Sequence, residues 1–270
     1  MAAPAQPRLN LATFCGGRGR MAGVELKISV LADRPDLLET MWEMESPWPE
    51  FMRHDPIGNT YYALAEQFAD CILMVEDSVG KQLAKAFSAP FHLADGEELP
   101  DDGWDGAIRR ALRTKLAGDT PNMISAIEIS IRPDAHGLGL SGTILAALRD
   151  NAGRLGFREL VAPVRPNGKS DLDLPMEQYA FQTRADGLPV DPWLRVHVRA
   201  GGRIDRVAPR SMVIPGTLAD WRDWTGLPFD TSGKVYVAKA LAPVVVNVEH
   251  NYAVYVEPNV WVRHKTARAA

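Results

Sequence analysis

Cysteine is scarce in this chain of 270 residues, which contains only Cys15 and Cys71. One lies in a Gly- and Arg-rich segment and the other in an apolar run, so the sequence indicates neither a disulfide framework nor a thiolate metal site. The six histidines are scattered without the H-x3-H type of spacing, and we therefore predict no metal. A reducing compartment, the cytoplasm, is the expected location.

Long apolar runs and an excess of positive charge are also missing. No stretch approaches the roughly 20 apolar residues that span a bilayer, so we expect no membrane partner. The formal net charge of -4 argues against a surface that coats nucleic acid, because phosphate binding needs a basic field. A neutral or cationic small molecule fits this charge better. The sequence leaves the oligomeric state open, a homodimer included.

Helix-type and strand-type patterns alternate along most of the chain. We predict a disordered tail over residues 1–20 and one domain over 21–270, with a core to about 210 and a β-rich extension over 211–270. The main predicted elements are strands at 24–31, 123–131, 159–164 and 203–208, a hairpin at 71–90, and helices at 37–45, 61–70, 104–117, 140–155, 192–200 and 217–225. This order predicts a mixed α/β fold.

The strand at 123–131 is followed by a glycine-rich turn that opens a helix. Residues 137–142 read GLGLSG and match the G-x-G-x-x-G pattern of dinucleotide-binding folds. Five residues separate the strand from the first glycine, however, and Arg165 stands where an acidic ribose ligand is expected. An NADP-dependent oxidoreductase therefore remains an alternative, and so does a hydrolase with Ser141 as nucleophile.

The same segment can be explained by its backbone alone. Successive N–H groups at a helix start, freed of bulky side chains by glycine, form a concave site for a pyrophosphate. Glycines that simply cap the helix and allow close strand packing are the structural alternative.

The turn resembles the acyl-CoA signature of the GNAT superfamily of N-acetyltransferases. Residues 129–141 read ISIRPDAHGLGLS, with His136, Gly139 and Ser141 at the positions where the family usually has Arg or Gln, Gly, and Gly or Ala. The order of elements from 24 to about 208 also follows the family. The resemblance implies a central, mixed and splayed β-sheet flanked by helices, and an acyl group transferred from acetyl-CoA, or another acyl-CoA, to a small-molecule amine.

The resemblance also implies a set of cofactor-binding residues. The backbones of two strand residues would hold the pantetheine arm, the turn would bind the pyrophosphate, and an asparagine would lie near the pantetheine. These residues are Ile129, Ile131, His136, Gly137, Leu138, Gly139, Leu140, Ser141, Gly142 and Asn167. An acyl-CoA-binding module without catalysis remains the alternative outside enzymes.

Acyl transfer to an amine needs a base for the amine, a stabilised oxyanion and a proton for the departing thiolate. Glu128 projects from the opposite strand face to Ile127, Ile129 and Ile131, and we predict it as the base. A carboxylate bonded to a neighbouring strand is the structural alternative. By the resemblance, His197 takes the place of a tyrosine general acid, with a histidine satisfied in the core as its alternative.

An aromatic loop is the candidate acceptor site. In relatives the acceptor pocket lies between the first two helices, where this chain has the Pro-rich segment 46–59. We predict Trp48 and Phe51 as substrate-binding residues there, whereas the helical spacing of Trp42 places that side chain in the core.

Overall fold

The structure is a computed structural model and describes residues 18–21, 24–45 and 47–266. The predicted tail over 1–20 lies largely outside these ranges. Its last three residues belong to a strand, Arg18–Met21, which pairs with the next strand of the chain. Backbone pairing with this next strand therefore includes residues 18–20, which the sequence analysis assigned to the tail.

The first half of the described chain is strand-rich, with short helices between the strands. Its elements are β1 (Arg18–Met21), β2 (Val24–Val30), α1 (Thr40–Glu43), α2 (Pro56–Ala63), β3 (Ile72–Glu76), β4 (Gln82–Phe91), α3 (Gly103–Ala117) and β5 (Met123–Ile131). The second half contains α4 (Leu140–Arg154), β6 (Glu159–Val164), α5 (Met176–Tyr179), α6 (Pro192–Arg199), β7 (Arg203–Gly216), α7 (Leu218–Thr225), β8 (Gly233–Val235), β9 (Val244–Asn247) and β10 (Tyr252–Lys265).

Two predicted helices differ from the observed elements. The helix predicted at 37–45 consists of a 3-10 turn, Pro35–Leu37, followed by the four-residue α1. The helix predicted at 61–70 begins earlier, because the Asp55 carboxylate caps the backbone N–H groups of Ile57 and Gly58 at the start of α2. A 3-10 segment, Ala65–Cys71, completes that region.

The strands form one mixed sheet, in the order β1-β2-β3-β4-β5-β6-β10-β9-β8, with β7 paired to β10. Among the described strands, β5 and β6 form the parallel pair, and the other pairs are antiparallel. The predicted mixed α/β class is confirmed. A dinucleotide-binding fold is built on a predominantly parallel sheet, so this topology disfavours the NADP interpretation.

The β5–β6 pair is splayed. Pairing is limited to Ile124 with Leu160 and Ser125 with Val161, at the start of both strands. Beyond these residues β5 continues to pair with β4, and β6 pairs with β10. The two halves of the sheet therefore separate along β5 and open a cleft.

The C-terminal extension completes this sheet. Strand β10 pairs along its length with β7 on one edge, and with β9 and β6 on the other. Its side chains Tyr255 and Trp261 are fully buried, and the Trp261 indole N–H donates to Pro100 O at 2.8 Å. The extension is therefore part of the core and packs beside the cleft.

Candidate active site

The cleft between β5 and β6 contains a cavity of about 340 Å³. Strand β5 forms one wall, β6 and the residues after it form the other, and the start of α4 and part of α6 close it. Among its lining residues are Ala126, Ile127, Glu128, Ile129, Ile131, His136, Ser141, Leu145, Ala162, Pro163, Arg165, Asn167, Trp193 and His197. Five predicted cofactor-binding residues line this cavity: Ile129, Ile131, His136, Ser141 and Asn167.

The glycine turn forms the approach to α4. Gly137 and Gly139 have positive φ values of 81° and 72°, which explains why glycine occupies both positions. No heavy atom lies within 4 Å of a Cβ placed at Gly137 or Gly142. The first N–H groups of a helix have no acceptor within the helix, so this turn presents open donors beside the cavity.

The leucines of the turn have a different role from the glycines. Leu140 is buried and Leu138 packs against the core, so both side chains point into the protein. The His136 ring nitrogen Nε2 lies 2.9 Å from Ile131 O, which ties the turn back to the end of β5. If these residues bind a cofactor, Leu138 and Leu140 can contribute only their backbone.

Glu128 lies at the junction of two cavities. Its carboxylate accepts hydrogen bonds from the Tyr62 hydroxyl and the Ser130 hydroxyl, one on each oxygen. The side chain is 8% exposed and lines both the cleft and a second cavity on the other side of β5. Trp48, Trp104 and Met212 line both cavities as well.

The second cavity has a volume of about 710 Å³ and lies between α1, α2 and the sheet. Its remaining lining residues include Trp42, Glu43, Met44, Glu45, Glu50, Met52, Arg53, His54, Asp55, Gly58, Asn59, Tyr62 and Lys85. Carboxylates outnumber cations, and Arg53 is already paired with Glu50 at 2.8 Å. Among the described residues, neither Glu43 nor Glu45 has an ion-pair partner. The cavity is thus suited to a cationic ligand.

Asp55 contributes less charge to this cavity than its type suggests. It is buried beside Asp105, and burial raises the pKa of both carboxyl groups, that of Asp105 to about 8. The pair therefore holds a proton at neutral pH. The exposed glutamates Glu43, Glu45 and Glu50 provide the full negative charges on the solvent side.

The aromatic residues of the predicted acceptor loop separate into two groups. Trp48 lines both cavities, as a pocket wall would. The prediction for Phe51 is corrected: this side chain is 2% exposed, packs on Trp221 and Tyr255, and lines neither cavity. Trp42, expected in the core, is instead 45% exposed and lines the second cavity.

His197 lies at the cleft, but in a deeply buried environment. Its Nδ1 is 2.9 Å from His264 Nε2, and its ring meets Trp193 edge to face. Burial, with a smaller effect from His264, lowers the pKa of His197 to about 3. The imidazole is therefore neutral near pH 7. The catalytic role of His197 stays a prediction. A neutral ring could still donate a hydrogen bond.

No model of a known protein family matches the chain. The chain is 32% identical to the arginine N-acetyltransferase avaD of Aspergillus versicolor, over 90% of this chain and 99% of the relative. Its fold is similar to the loading GNATL domain of CurA from Lyngbya majuscula, with a TM-score of 0.52, 18% identity, and coverage of 90% of this chain and 97% of that one. A GNAT-like decarboxylase, GphF, solved in complex with isobutyryl-CoA, gives a TM-score of 0.51 at 16% identity, covering 89% and 98%. The chain belongs to the GNAT family of N-acetyltransferases.

As a GNAT acyltransferase, the chain has site features that its sequence did not identify. Tyr62 and Lys85 lie around Glu128 on the side of the second cavity, and Trp104 donates its indole N–H to Ile127 O at 2.8 Å. Lys85 is an isolated cation within an apolar strand, and this local signal could have been recognised. The other two follow helical spacing and carry no such signal.

The GNAT cleft also borders a buried polar network from the C-terminal extension. Glu257 is fully buried and accepts from Arg165 Nε at 2.9 Å, from the Tyr255 hydroxyl at 2.8 Å and from the Asn259 amide at 2.9 Å. Arg165 and Asn259 line the cleft. These bonds fix the wall opposite β5.

In the part of the chain that the structure describes, no three or more His, Cys, Asp or Glu side chains gather in a way that could hold a metal ion. None of the described helices is long and apolar enough to cross a bilayer.

Proposed function

We propose that this protein transfers an acetyl or other short acyl group from acyl-CoA to a primary amine of a small cationic molecule. The position of Glu128 carries the proposal, because its carboxylate borders the splayed cleft and the acidic cavity at once. A group that accepts a proton from the amine must lie where the two substrates meet. Arginine is the first acceptor to test, since the relative from Aspergillus versicolor is an arginine N-acetyltransferase.

The cleft provides features that fit the donor. The open N–H groups at the start of α4 suit a pyrophosphate, and Gly137 and Gly142 leave room for it. The unpaired edge of β5 beyond Ser125, lined by Ile129 and Ile131, suits an extended pantetheine arm. Asn167 borders the same cavity from the opposite wall.

Acyl-CoA supplies a thioester whose acyl carbon is open to attack by an amine. Glu128 takes the proton that the amine nitrogen loses as the new C–N bond forms and the C–S bond breaks. The two hydroxyls that bond its oxygens, from Tyr62 and Ser130, hold the carboxylate in place and leave lone pairs free. Neutral His197 hydrogen-bonds the departing sulfur, which receives its proton from solvent or from the protonated Glu128.

The acidic cavity supports a cationic acceptor. Glu43, Glu45 and Glu50 lie on its exposed side, while Trp42 and Trp48 supply aromatic surface. A guanidinium can pair with carboxylates and lie over aromatic faces.

The test is amine-dependent release of free CoA from acetyl-CoA, followed over a panel of arginine, lysine, polyamines, arylalkylamines and neutral amino acids. We expect the cationic amines to be the best acceptors. In double-reciprocal plots of initial velocity against one substrate at several concentrations of the other, the lines should intersect, as direct transfer in a ternary complex requires. Release of CoA with aromatic or neutral amines alone would contradict the cationic acceptor, and parallel lines would contradict direct transfer.

A further inference from the structure

Lys85 is a buried cation in the wall of the acidic cavity. Its side chain is 5% exposed, although it stands in the middle of the apolar strand β4. Its Nζ donates to Met41 O at 3.0 Å and lies 5.1 Å from the centre of the Trp42 ring. A buried ammonium is costly unless it is paired, so this position calls for a reason.

The hydrogen bonding of this ammonium is incomplete. An ammonium has three N–H donors, and Met41 O is the acceptor that the described residues offer it. No carboxylate of these residues lies within 4.0 Å of Nζ. Burial lowers the pKa of Lys85, and the more distant charge of Glu128 opposes this effect. An anion bound at Nζ would accept hydrogen bonds from the free N–H donors and favour the charged form of Lys85.

Lys85 and Glu128 face the same cavity from neighbouring strands. In the β4–β5 pair, Lys85 is opposite Ser130 and Phe87 is opposite Glu128, which makes Lys85 and Glu128 diagonal neighbours on one face of the sheet. Such positions are about 7–8 Å apart at the backbone. One positive and one negative group thus line the second cavity, close enough for one small molecule to contact both.

We propose that Lys85 binds the carboxylate of an α-amino acid acceptor while Glu128 receives its α-amine. The inference rests on the proposed acetyl transfer and deepens it, by making the acceptor an amino acid and not a decarboxylated amine. In this pose the acceptor side chain extends toward the solvent side of the cavity, where Glu43 and Glu45 are unpaired among the described residues. A cationic side chain such as that of arginine would complete the charge balance.

The pose also explains the surroundings of Lys85. Trp42 covers the ammonium and stacks on Phe87, with ring centroids 6.1 Å apart. This arrangement keeps bulk water away from the Nζ and strengthens its interaction with an anion. If Lys85 served only to balance the charge of Glu128, its ammonium would be expected to form a direct ion pair with that carboxylate, and it does not.

The test compares each amino acid with its amide and its decarboxylated amine: arginine with argininamide and agmatine, lysine with lysinamide and cadaverine, and tryptophan with tryptophanamide and tryptamine. We expect kcat/KM for the favoured amino acid to exceed that of both partners by at least about 100-fold, because loss of the carboxylate leaves a buried cation unpaired. In Lys85→Met this preference should fall at least about 30-fold, chiefly through a higher KM for the amino acid, while Lys85→Arg should restore part of it.

A matched control comes from Lys115. Its Nζ also donates to one backbone carbonyl, Gln67 O at 3.0 Å, and lies 5.4 Å from the Phe68 ring, but it borders neither cavity. Lys115→Met should keep the full preference for the amino acid. Calorimetric titration of the wild type and Lys85→Met with the amino acid, in the presence of CoA, gives a readout independent of turnover. Titration with acetyl-CoA checks that the variant is folded.

The outcomes separate this inference from the proposed function. Equal use of the amino acid, its amide and its amine by the wild type would overturn the role of Lys85 and leave acetyl transfer intact, and this arm needs no variant. If Lys85→Met lowered kcat/KM equally for the amino acid, its amide and its amine, the role of Lys85 in carboxylate binding would also be overturned. Such a uniform loss would mean that Lys85 acts on Glu128 and not on the acceptor carboxylate. A carboxylate preference with a different amino acid would support the inference and refute arginine. An absence of CoA release with every amine would refute both.

Discussion

His197 and His264 form a buried pair, with Nδ1 of the first 2.9 Å from Nε2 of the second. One ring must donate and the other accept, so at least one of them is neutral. The pKa of His197 is lowered to about 3, mainly by burial, and that of His264 to about 4, mainly by burial and further by Arg149. The pair joins α6 to β10 at the side of the cleft.

This pair predicts a stability that falls in mild acid. In the unfolded chain both histidines titrate near pH 6.5, so between that value and about pH 4 the unfolded state binds more protons than the folded state. The contribution of the two neutral histidines to the free energy of unfolding is therefore fully present above pH 6.5 and is lost as the pH falls toward 4. From pH 7 to pH 5 we expect each histidine to cost about 2 kcal/mol in the free energy of unfolding, measured by denaturant titration.

Variants isolate the contribution of the pair. His197→Gln should make the free energy of unfolding less dependent on pH between 5 and 7, whereas His92→Gln, at an exposed position, should not. An equally steep pH dependence in His197→Gln would show that other groups cause the acid sensitivity.

Gly142 provides a test of the turn before α4. It occupies the first turn of that helix, and a Cβ added there meets no atom within 4 Å. Gly142→Ala should therefore raise the free energy of unfolding by about 0.5–1 kcal/mol, since alanine loses less backbone entropy in a helix. The same methyl group should weaken acetyl-CoA binding about tenfold by crowding the backbone donors. Unchanged affinity in calorimetry would indicate that the glycines only shape the helix start.

Trp48 and Phe51 should respond differently to substitution, although they lie three residues apart. Phe51→Leu should lower the free energy of unfolding by about 1–2 kcal/mol and leave the KM for the acceptor within about twofold, because Phe51 packs in the core. Trp48→Ala should raise the KM for both substrates, since Trp48 lines both cavities. Denaturant titration and steady-state kinetics distinguish the two. A clearly higher KM for the acceptor in Phe51→Leu would indicate that Phe51 contributes to acceptor binding after all.

The sequence predicted the elements around the cleft well because their signals are local. The strand at 123–131 alternates, the helix after it begins at a glycine turn, and the strand at 159–164 follows a glycine stop, and the structure confirms these elements. The side-chain direction in β5 was equally local. Glu128 was expected on the strand face opposite the isoleucines, and its hydrogen bond with Ser130, two residues further along, shows that both side chains lie on one face.

Features that depend on distant pairing could not be predicted. His264 lies 67 residues from His197, and only the insertion of β10 beside β6 and β7 brings the two rings together. The same holds for Lys85, whose position near Glu128 depends on the register of β4 against β5. The places of Phe51 and Trp42 differ from the prediction because a 3-10 turn, Glu50–His54, forms within the predicted loop, and because the short α1 replaces the longer helix predicted at 37–45.

The most direct test of the central claim is the turnover number of Glu128→Gln with acetyl-CoA and the favoured amine, beside Glu66→Gln at an exposed position outside both cavities. If Glu128 accepts the amine proton, kcat should fall by about 100-fold or more, while calorimetry shows acetyl-CoA binding within about threefold of the wild type. Glu66→Gln should match the wild type. A Glu128→Gln enzyme that keeps more than about a tenth of the wild-type kcat would contradict the account.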